Sequence, residues 1–296
     1  MANNINFGKI YDSTWWGVGV TSNTINWGKS YLDLAGGGDE RFIFSVKTDN
    51  AGTSATNQFT IPTLGVGYAY DITTSDGQTI LANTEDTTIE FPTAGTYDVF
   101  ISGSFPQCYF NNVGDAQKLL DIKNFGIYAL GSTSQERAFF GCSNMVISAT
   151  DIGHFENVTS FFLAWRDCSS LTSFPLLDTS SGDNFAFAWR DCSSLTSFPL
   201  LDTSSGISFF QAWLSCSSLT SFPANAFDTN IATNYTDSFN TTNLSTQSID
   251  DILVSLVTSG VSNGTFDQSE GQAPSATGQN AITTLLGRGW TIATTA

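Results

Sequence analysis

The residues that could take part in chemistry are few: one histidine, His154, and five cysteines in a chain of 296 residues. A zinc site needs about four ligands, and no cysteine pair at ligand spacing lies near His154. No nucleophile motif accompanies this histidine. Carboxylates are numerous but scattered, and no spacing marks a glycosidase pair. The sequence therefore predicts a protein without enzyme activity, metal or cofactor.

The cysteines instead follow a fixed spacing. Cys168, Cys192 and Cys216 lie 24 residues apart, and Cys142 precedes Cys168 by 26 residues. On stacked turns of one period such residues form a column of small buried groups. We therefore expect reduced, buried thiols, as is usual in a cytosol, with disulfides or a metal site as the alternatives.

The whole segment around these cysteines repeats with the same 24-residue period. Residues 164–182 recur without change as residues 188–206. A period of about 20 to 30 residues indicates a solenoid, in which each turn buries its apolar side only against its neighbours. The predicted repeat core consists of the Phe, Trp, Cys and Leu positions that keep this period. They are Phe161, Trp165, Cys168, Leu171, Phe174, Phe185, Trp189, Cys192, Leu195, Phe198, Phe209, Trp213, Cys216, Leu219 and Phe222.

Two features within each repeat suggest local structure. Phe161 precedes Trp165 by four residues, a spacing that places both side chains on one face of a helical turn. Asp178 and Asp202 precede Thr-Ser-Ser, and we expect their carboxylates to accept hydrogen bonds from backbone N–H groups of the turn. A calcium site is less favoured, because the loop lacks the dense acidic ligands that calcium prefers.

The segments before the repeats have another character. Residues 41–107 contain the short runs FIFSVKT, NQFTIPT, YAYDITTS, TTIEFPT and GTYDVFISGSF between turn-forming residues, which predict a small antiparallel β-sandwich. Residues 1–40 carry Trp15, Trp16 and Trp27 and are predicted to be an arm that docks into a larger assembly. A strand packed on the following domain is the alternative.

A cap is expected at each end of the repeats, which are predicted to span residues 137–230. Terminal repeats must differ from interior ones because their outer face meets water. Residues 108–136 are the predicted N-terminal cap, and residues 231–296 are the predicted C-terminal cap. The N-terminal end of the stack would be covered by Leu119, Leu120, Ile122 and Phe125.

The C-terminal cap is predicted to contain two helices and a strand. Ser248 and Asp251 can form a capping box at the start of the first helix. The second helix is expected from about Ser275, with Ile282, Leu285 and Leu286 facing inward and Gly287 and Gly289 at its end. Residues 290–292 are predicted to be a last strand.

Three segments resemble known families. The run AFFGCSNMVISATD…FFLAWRDCSSLTSFPLLDTSS resembles BspA-like leucine-rich repeats, and the likeness covers residues 119–228. It implies a leucine-rich-repeat solenoid with a short strand near Ser-Leu-Thr-Ser-Phe-Pro and a helical or irregular turn at Phe-x-x-Ala-Trp. YDITTSDGQT and FPTAGTYDVFISG are similar to a PKD-like, immunoglobulin-type module, although Thr74-Ser75-Asp76-Gly77 replaces its Trp-Gly-Asp-Gly turn. Residues 246–292, ending in RGWTI, resemble C-terminal caps of phage-encoded repeat proteins.

The predicted fold class is therefore mostly β with short helices: an N-terminal arm, a small PKD-like sandwich and a capped leucine-rich-repeat solenoid with a 24-residue period. Within the repeats a few positions vary while the frame stays constant, and such positions can present a ligand-specific face. Spacers or contacts with a sister subunit are the alternatives. The candidate ligand-facing residues are Phe162, Phe187, Phe210, Arg166 and Arg190.

The charge restricts the partners. Ten basic and 27 acidic residues give a net charge of −17, which argues against nucleic acid and anionic membranes, because phosphate binding needs clustered Lys and Arg. No run of about 18 apolar residues predicts a membrane span, and the N-terminus has no secretory pattern.

These observations and the resemblances predict a non-enzymatic structural protein of a phage particle. It would be displayed on the capsid or a tail fibre after assembly in the host cytoplasm. Its arm would contact other virion proteins, its repeats would bind host surface glycans or receptors, and it would form a homo-oligomer, a trimer by analogy with viral appendages. The alternatives are a BspA-like adhesin on a bacterial surface and a cytosolic scaffold for protein–protein interactions.

Overall fold

The computed structural model describes residues 39–296. The predicted docking arm, with Trp15, Trp16 and Trp27, therefore lies outside the described residues except for its last two positions. Residues 40–296 group together as one unit. This unit is mostly β-structure with short helices, which confirms the coarse fold class predicted from the sequence.

The described strands are short. They are β1 (Phe42–Lys47), β2 (Gln58–Ile61), β3 (Ala69–Thr74), β4 (Thr79–Asn83), β5 (Thr87–Glu90), β6 (Thr96–Ser104), β7 (Leu119–Asn124), β8 (Val146–Ile147), β9 (Asn234–Tyr235), β10 (Thr265–Asp267) and β11 (Thr291–Ala293). The helices are a 3₁₀ turn (Ala116–Lys118), α1 (Thr246–Thr258) and α2 (Ala276–Gly287).

A six-stranded sheet is built in the order β4-β3-β6-β1-β7-β8. Its neighbours are antiparallel except for the parallel pair β7 and β8. Strands β2 and β5 form a separate antiparallel pair. That pair packs on the larger sheet through Phe59 and Phe44, whose ring centroids lie 5.8 Å apart. The five runs predicted as strands correspond to β1, β2, β3, β5 and β6, and among the strands before residue 105 only β4 was not predicted.

The predicted N-terminal cap contributes strand β7 to the six-stranded sheet. Strand β7 pairs with β1, with Ile122 opposite Phe44, and on its other edge it pairs with β8. Leu119, Ile122 and Phe125 are buried in this sheet. They therefore lie between the sheet and the first repeat, where Phe125 packs edge-to-face on Phe155 at 5.4 Å, and the expectation that they cover this end of the stack stays a prediction. The domain boundaries stay predictions. The six-stranded sheet nevertheless contains strands from both sides of the boundary that was predicted after residue 107.

A buried ion pair ties the loop before β2 to the segment before β7. Lys118 Nζ lies 3.7 Å from Asp115 Oδ1, and both side chains are almost fully buried. Asp115 Oδ1 accepts a hydrogen bond from the backbone N–H of Ser54, while Lys118 Nζ donates to the carbonyl oxygens of Ala55 and Gln58. Because both charges have hydrogen-bond partners, their burial is tolerated.

Backbone hydrogen bonds join each repeat to the next in a regular ladder. Alternate residues of one repeat donate to the carbonyl oxygens of the following one, as Trp165 N does to Ala188 O at 2.8 Å and Trp189 N does to Ala212 O at 2.9 Å. Parallel bridges also connect Ser160, Asn184 and Ser208 in series. On the Ser-Leu-Thr-Ser-Phe-Pro side the structure has one such bridge, between residues 197 and 221, and no strand.

The aromatic pair of each repeat lies in consecutive β-turns, and the expected helical turn was wrong. Ala164 N donates to Phe161 O, and Cys168 N donates to Trp165 O, which are bonds of the i to i−3 type. Leu163 and Asp167 have left-handed backbones, with φ of 59° and 61°. Phe161 and Trp165, which begin successive four-residue turns, are therefore both directed into the core.

Aromatic rings of successive repeats stack face to face in three columns. Centroids are 5.0–5.7 Å apart and ring planes are within 11° of parallel. Two columns continue into the predicted C-terminal cap, where Tyr235 stacks on Phe209 at 5.2 Å and Phe239 stacks on Trp213 at 5.0 Å. The stack is thus one turn longer than the 24-residue spacing predicts. This last turn does not follow the spacing because it contains two additional residues.

The C-terminal segment then closes the stack. Helix α1 begins after its N-cap, Ser245, three residues earlier than the predicted capping box at Ser248 and Asp251. Ser248 instead accepts a hydrogen bond from the backbone N–H of Phe222, at 3.0 Å. Helix α2 begins after Ser275 and ends at Gly287, as predicted.

The residues after α1 form the rest of the predicted C-terminal cap. Leu285 on α2 is buried, whereas Leu286, which was expected to face inward, is exposed. Strand β11 joins β10 and β9 in a parallel sheet that follows the last turn. None of the helices in the described residues 39–296 is long and apolar enough to cross a membrane.

Candidate functional site

All fifteen predicted repeat-core residues are buried. The thiols among them donate along the stack: Sγ of Cys192 lies 3.2 Å from the carbonyl oxygen of Trp165, and Sγ of Cys216 lies 3.1 Å from that of Trp189. The five cysteines are free and buried, as predicted. Burial raises the pKa of each thiol well above its usual range. These groups hold the repeats together and are inaccessible to a ligand.

The predicted turn aspartates have the role expected of them. Asp178 Oδ1 accepts from the backbone N–H of Ser180, and Asp202 Oδ1 accepts from that of Ser204. His154 lies 3.6 Å from Glu156 and is partly exposed. No group of three or more His, Cys, Asp or Glu residues suited to a metal ion occurs within residues 39–296.

Three of the candidate ligand-facing residues form a row on the surface of the repeats. Phe187 packs edge-to-face against Phe162, with centroids 5.7 Å apart, and against Phe210, at 5.1 Å. All three rings are half-buried. Arg190 lies over Phe187, and its guanidinium carbon is 5.8 Å from the ring centroid. The row is therefore held in place by its own contacts.

The two candidate arginines belong to a charged cluster. Arg190 Nε lies 3.1 Å from Asp191 Oδ2, and Arg166 Nε lies 3.8 Å from one oxygen each of Asp167 and Asp191. Burial and the neighbouring Asp191 carboxylate raise the pKa of Asp167. Both guanidinium groups thus have partners within the protein, so they are less available to a ligand than the phenylalanine row.

The repeats of residues 159–182 and 183–206 differ in one short segment only, and the repeat of residues 207–230 differs there as well as at Leu214, Ser215 and residues 224–230. The sequence reads TSFFL at residues 159–163, DNFAF at 183–187 and ISFFQ at 207–211, directly beside the block of residues 164–182 that recurs unchanged. Only the buried phenylalanine in the middle of each segment stays the same. Position 186 is alanine where the repeats before and after have Phe162 and Phe210. The middle repeat therefore lacks a ring at this position.

A cleft of about 480 Å³ lies at this gap. One side is apolar, because Ile207 is 58% exposed beside Ala186 and Phe210. The other lining residues are polar: Asp183, Asn184, Ser208 and Asn234. Apart from Asn234, every residue of the lining comes from the varying segments 183–187 and 207–211.

The polar side chains of the cleft have fixed orientations and unused hydrogen-bonding groups. Asn184 Oδ1 accepts from Ala186 N at 3.1 Å, and Asn234 Oδ1 accepts from Thr236 N at 3.2 Å. The amide groups therefore have one orientation. Within the described part of the chain, the Nδ2 groups of both asparagines and the carboxylate of Asp183 have no hydrogen-bond partner.

Of the candidate ligand-facing residues predicted from the sequence, only Phe210 lines the cleft, while Phe162 and Phe187 belong to the row beside it. The lining residues that were not among those candidates include Asp183, Asn184, Ile207, Ser208 and Asn234. The first four could have been found by comparing the two positions that precede the constant phenylalanine of each repeat. Asn234 gave no such signal, because two additional residues shift the following turn out of the 24-residue register.

Comparison with protein-family models, curated proteins and solved structures gives no match. The BspA-like and PKD-like resemblances therefore stay predictions, and the function must be inferred from the cleft and its surroundings.

Proposed function

We propose that the protein is a non-enzymatic structural protein of a phage particle, in which a leucine-rich-repeat solenoid displays a binding surface. The observation that carries this proposal is that most of the cleft lining comes from residues 183–187 and 207–211, which vary, whereas the adjoining block of residues 164–182 recurs unchanged as residues 188–206. A frame that stays constant while its exposed loops change is typical of repeat proteins that bind partners.

The rest of the proposal depends on the resemblances and on charge. The repeats and the RGWTI ending are similar to phage-encoded proteins, and a net charge of −17 suits a particle exterior, because like charges discourage clumping. The arm of residues 1–40 is proposed to contact other virion proteins, and the repeats are proposed to contact host surface glycans or receptors. Homo-oligomers, including trimers, fit such an appendage.

The second candidate is a BspA-like adhesin on a bacterial surface, and a third is a cytosolic scaffold. The same cleft would serve an adhesin equally well, so the two leading proposals differ in location and not in the binding surface.

Particle association is the decisive test. The full chain, labelled, is sedimented with separated capsids and with separated tails of a phage that encodes it, and mass spectrometry of the intact particles is done in parallel. Saturable co-sedimentation with either fraction supports the proposal. Absence from particles together with binding to bacterial cells would favour the adhesin, and absence from both would favour the scaffold.

A further inference from the structure

We infer that the cleft beside Phe210 binds one ring of an uncharged saccharide, with the face of the sugar against the phenylalanine ring and its hydroxyl groups on the polar lining. This inference rests on the proposed binding function and names the class of its ligand. The cleft, of about 480 Å³, is wide open to solvent, so it suits a ligand that packs one face of a ring against it.

The aromatic side of the cleft is suited to a sugar. The C–H groups on one face of a pyranose ring carry partial positive charge, and they pack on the electron-rich face of an aromatic ring. Phe210 is half-buried, and edge-to-face packing against Phe187 at 5.1 Å and 83° leaves it with a defined orientation. A ring that is already ordered loses little entropy when a ligand binds to it.

The polar side matches the hydroxyl groups of the same ligand. Sugar hydroxyls both donate and accept, and the lining supplies the two complementary kinds of group. The Nδ2 groups of Asn184 and Asn234 donate, while the carboxylate of Asp183 accepts, and none of them has a partner within residues 39–296. A purely apolar ligand would leave these groups without hydrogen bonds, which is unfavourable.

The charge distribution selects among sugars. Asp183 is the one charged residue among those that line the cleft, which include no Lys or Arg. The chain as a whole carries a net charge of −17. Uronic and sialic acids would therefore be repelled, so a neutral hexose is the ligand that the lining favours.

The repeats themselves supply the test variants. Ala186→Phe places in the middle repeat the residue that its neighbours have at the same position, and it fills the cleft. Phe210→Ala removes the aromatic face. Phe162→Ala is the matched control, because it removes a ring from the same position of another repeat, outside the cleft. Circular dichroism and thermal melting show whether each variant keeps its fold.

The probes are the methyl glycosides of glucose, galactose and mannose, with methyl glucuronide as the anionic comparison. Saturation-transfer NMR on the full-length chain is expected to show binding of at least one neutral glycoside, and no comparable signal from the glucuronide. Binding is expected to weaken about tenfold or more in Phe210→Ala and Ala186→Phe, and to stay within about twofold of the parent in Phe162→Ala.

The inference would be overturned if no neutral glycoside showed saturation transfer, or if a folded Ala186→Phe variant bound as well as the parent. A change in the oligomeric state of that variant during sedimentation would also overturn it, because the cleft would then be a contact between copies of the chain. The proposed function fails separately. A chain that joins particles without binding sugar contradicts only the saccharide site, and one that binds sugar without joining particles contradicts only the particle location.

Discussion

The indole rings of Trp165 and Trp189 lie parallel in two successive repeats, with centroids 5.7 Å apart and planes inclined by 7°. Trp213 continues this column, and Phe239 ends it with the same parallel geometry. Each ring thus packs on the equivalent ring of the next repeat. The repeats depend on one another because no single one can bury its aromatic side chains alone.

Truncating the middle ring of this column should destabilise the whole unit. Trp189→Ala is expected to lower the free energy of unfolding by about 3–5 kcal/mol, because it leaves a cavity between two stacked rings. Trp189→Phe should cost at least about 2 kcal/mol less, since Phe239 occupies the same column and the Trp189 Nε1 group has no hydrogen-bond partner among the described residues. Urea denaturation measures both. Equal losses would mean that the indole N–H has an essential partner.

The thiol column predicts a loss of stability at alkaline pH. The unfolded thiols ionise near a pKa of about 8.5, while burial keeps the folded thiols protonated. Above that pH the unfolded chain binds fewer protons than the folded one, so the free energy of unfolding falls as pH rises. Each thiol steepens the fall by up to about 1.4 kcal/mol per pH unit.

Denaturation of the parent and Cys192→Ala between pH 7.5 and 10.5 tests this, because the variant should have the shallower slope. Thiol titration provides an independent check. The five thiols should be unreactive in the folded protein and should all react after unfolding without reductant; a count below five would reveal a disulfide or a bound metal.

Asp167 should titrate abnormally because of its neighbours on two repeats. Burial and the Asp191 carboxylate raise its pKa, while Arg166 opposes the shift. Replacing Asp191 by Asn should therefore lower the pKa of Asp167, and Arg166→Gln should raise it, as followed by NMR of the carboxyl carbon. If the pKa is unchanged in both variants, the carboxylates do not interact.

The same shift has a defined effect on stability. The folded state keeps the Asp167 proton to a higher pH than the unfolded state does, so this residue's contribution to the free energy of unfolding decreases as pH rises from its ordinary pKa through its raised one. Asp167→Asn should accordingly gain stability relative to the parent over this pH range. Asn also tolerates the left-handed backbone at this position.

Helix α1 should stabilise the last repeats through hydroxyl groups. Ser248 Oγ accepts from Phe222 N at 3.0 Å, and Ser255 Oγ accepts from Phe227 N at 2.8 Å. Ser248→Ala leaves a buried backbone N–H without an acceptor and should cost about 1–3 kcal/mol. Thr258→Ala is the control, because that exposed side chain only donates to Val254 O within the helix. A loss no greater than that of Thr258→Ala would show that Ser248 is not needed to close the stack.

Part of this fold follows from residue type and spacing. The 24-residue period predicts which Phe, Trp, Cys and Leu side chains are buried, and alternation predicts five of the six strands before residue 105. These features are local or repeated, so they can be recognised without knowledge of distant contacts. The candidate site was only partly predictable, because Phe210 occupies a position that varies visibly between repeats, whereas Asn234 belongs to a turn with a different spacing.

The sequence by itself therefore determined the repeating unit, its buried side chains and the mostly β character of the protein. Tertiary structure alone decided that Leu119, Ile122 and Phe125 join the six-stranded sheet to the first repeat. It also decided that Tyr235 and Phe239 extend the aromatic columns and that Ala186 leaves a cleft. The physical reason is that burial follows from the side chain and its period, whereas each of these outcomes depends on which surfaces meet across many residues of intervening chain.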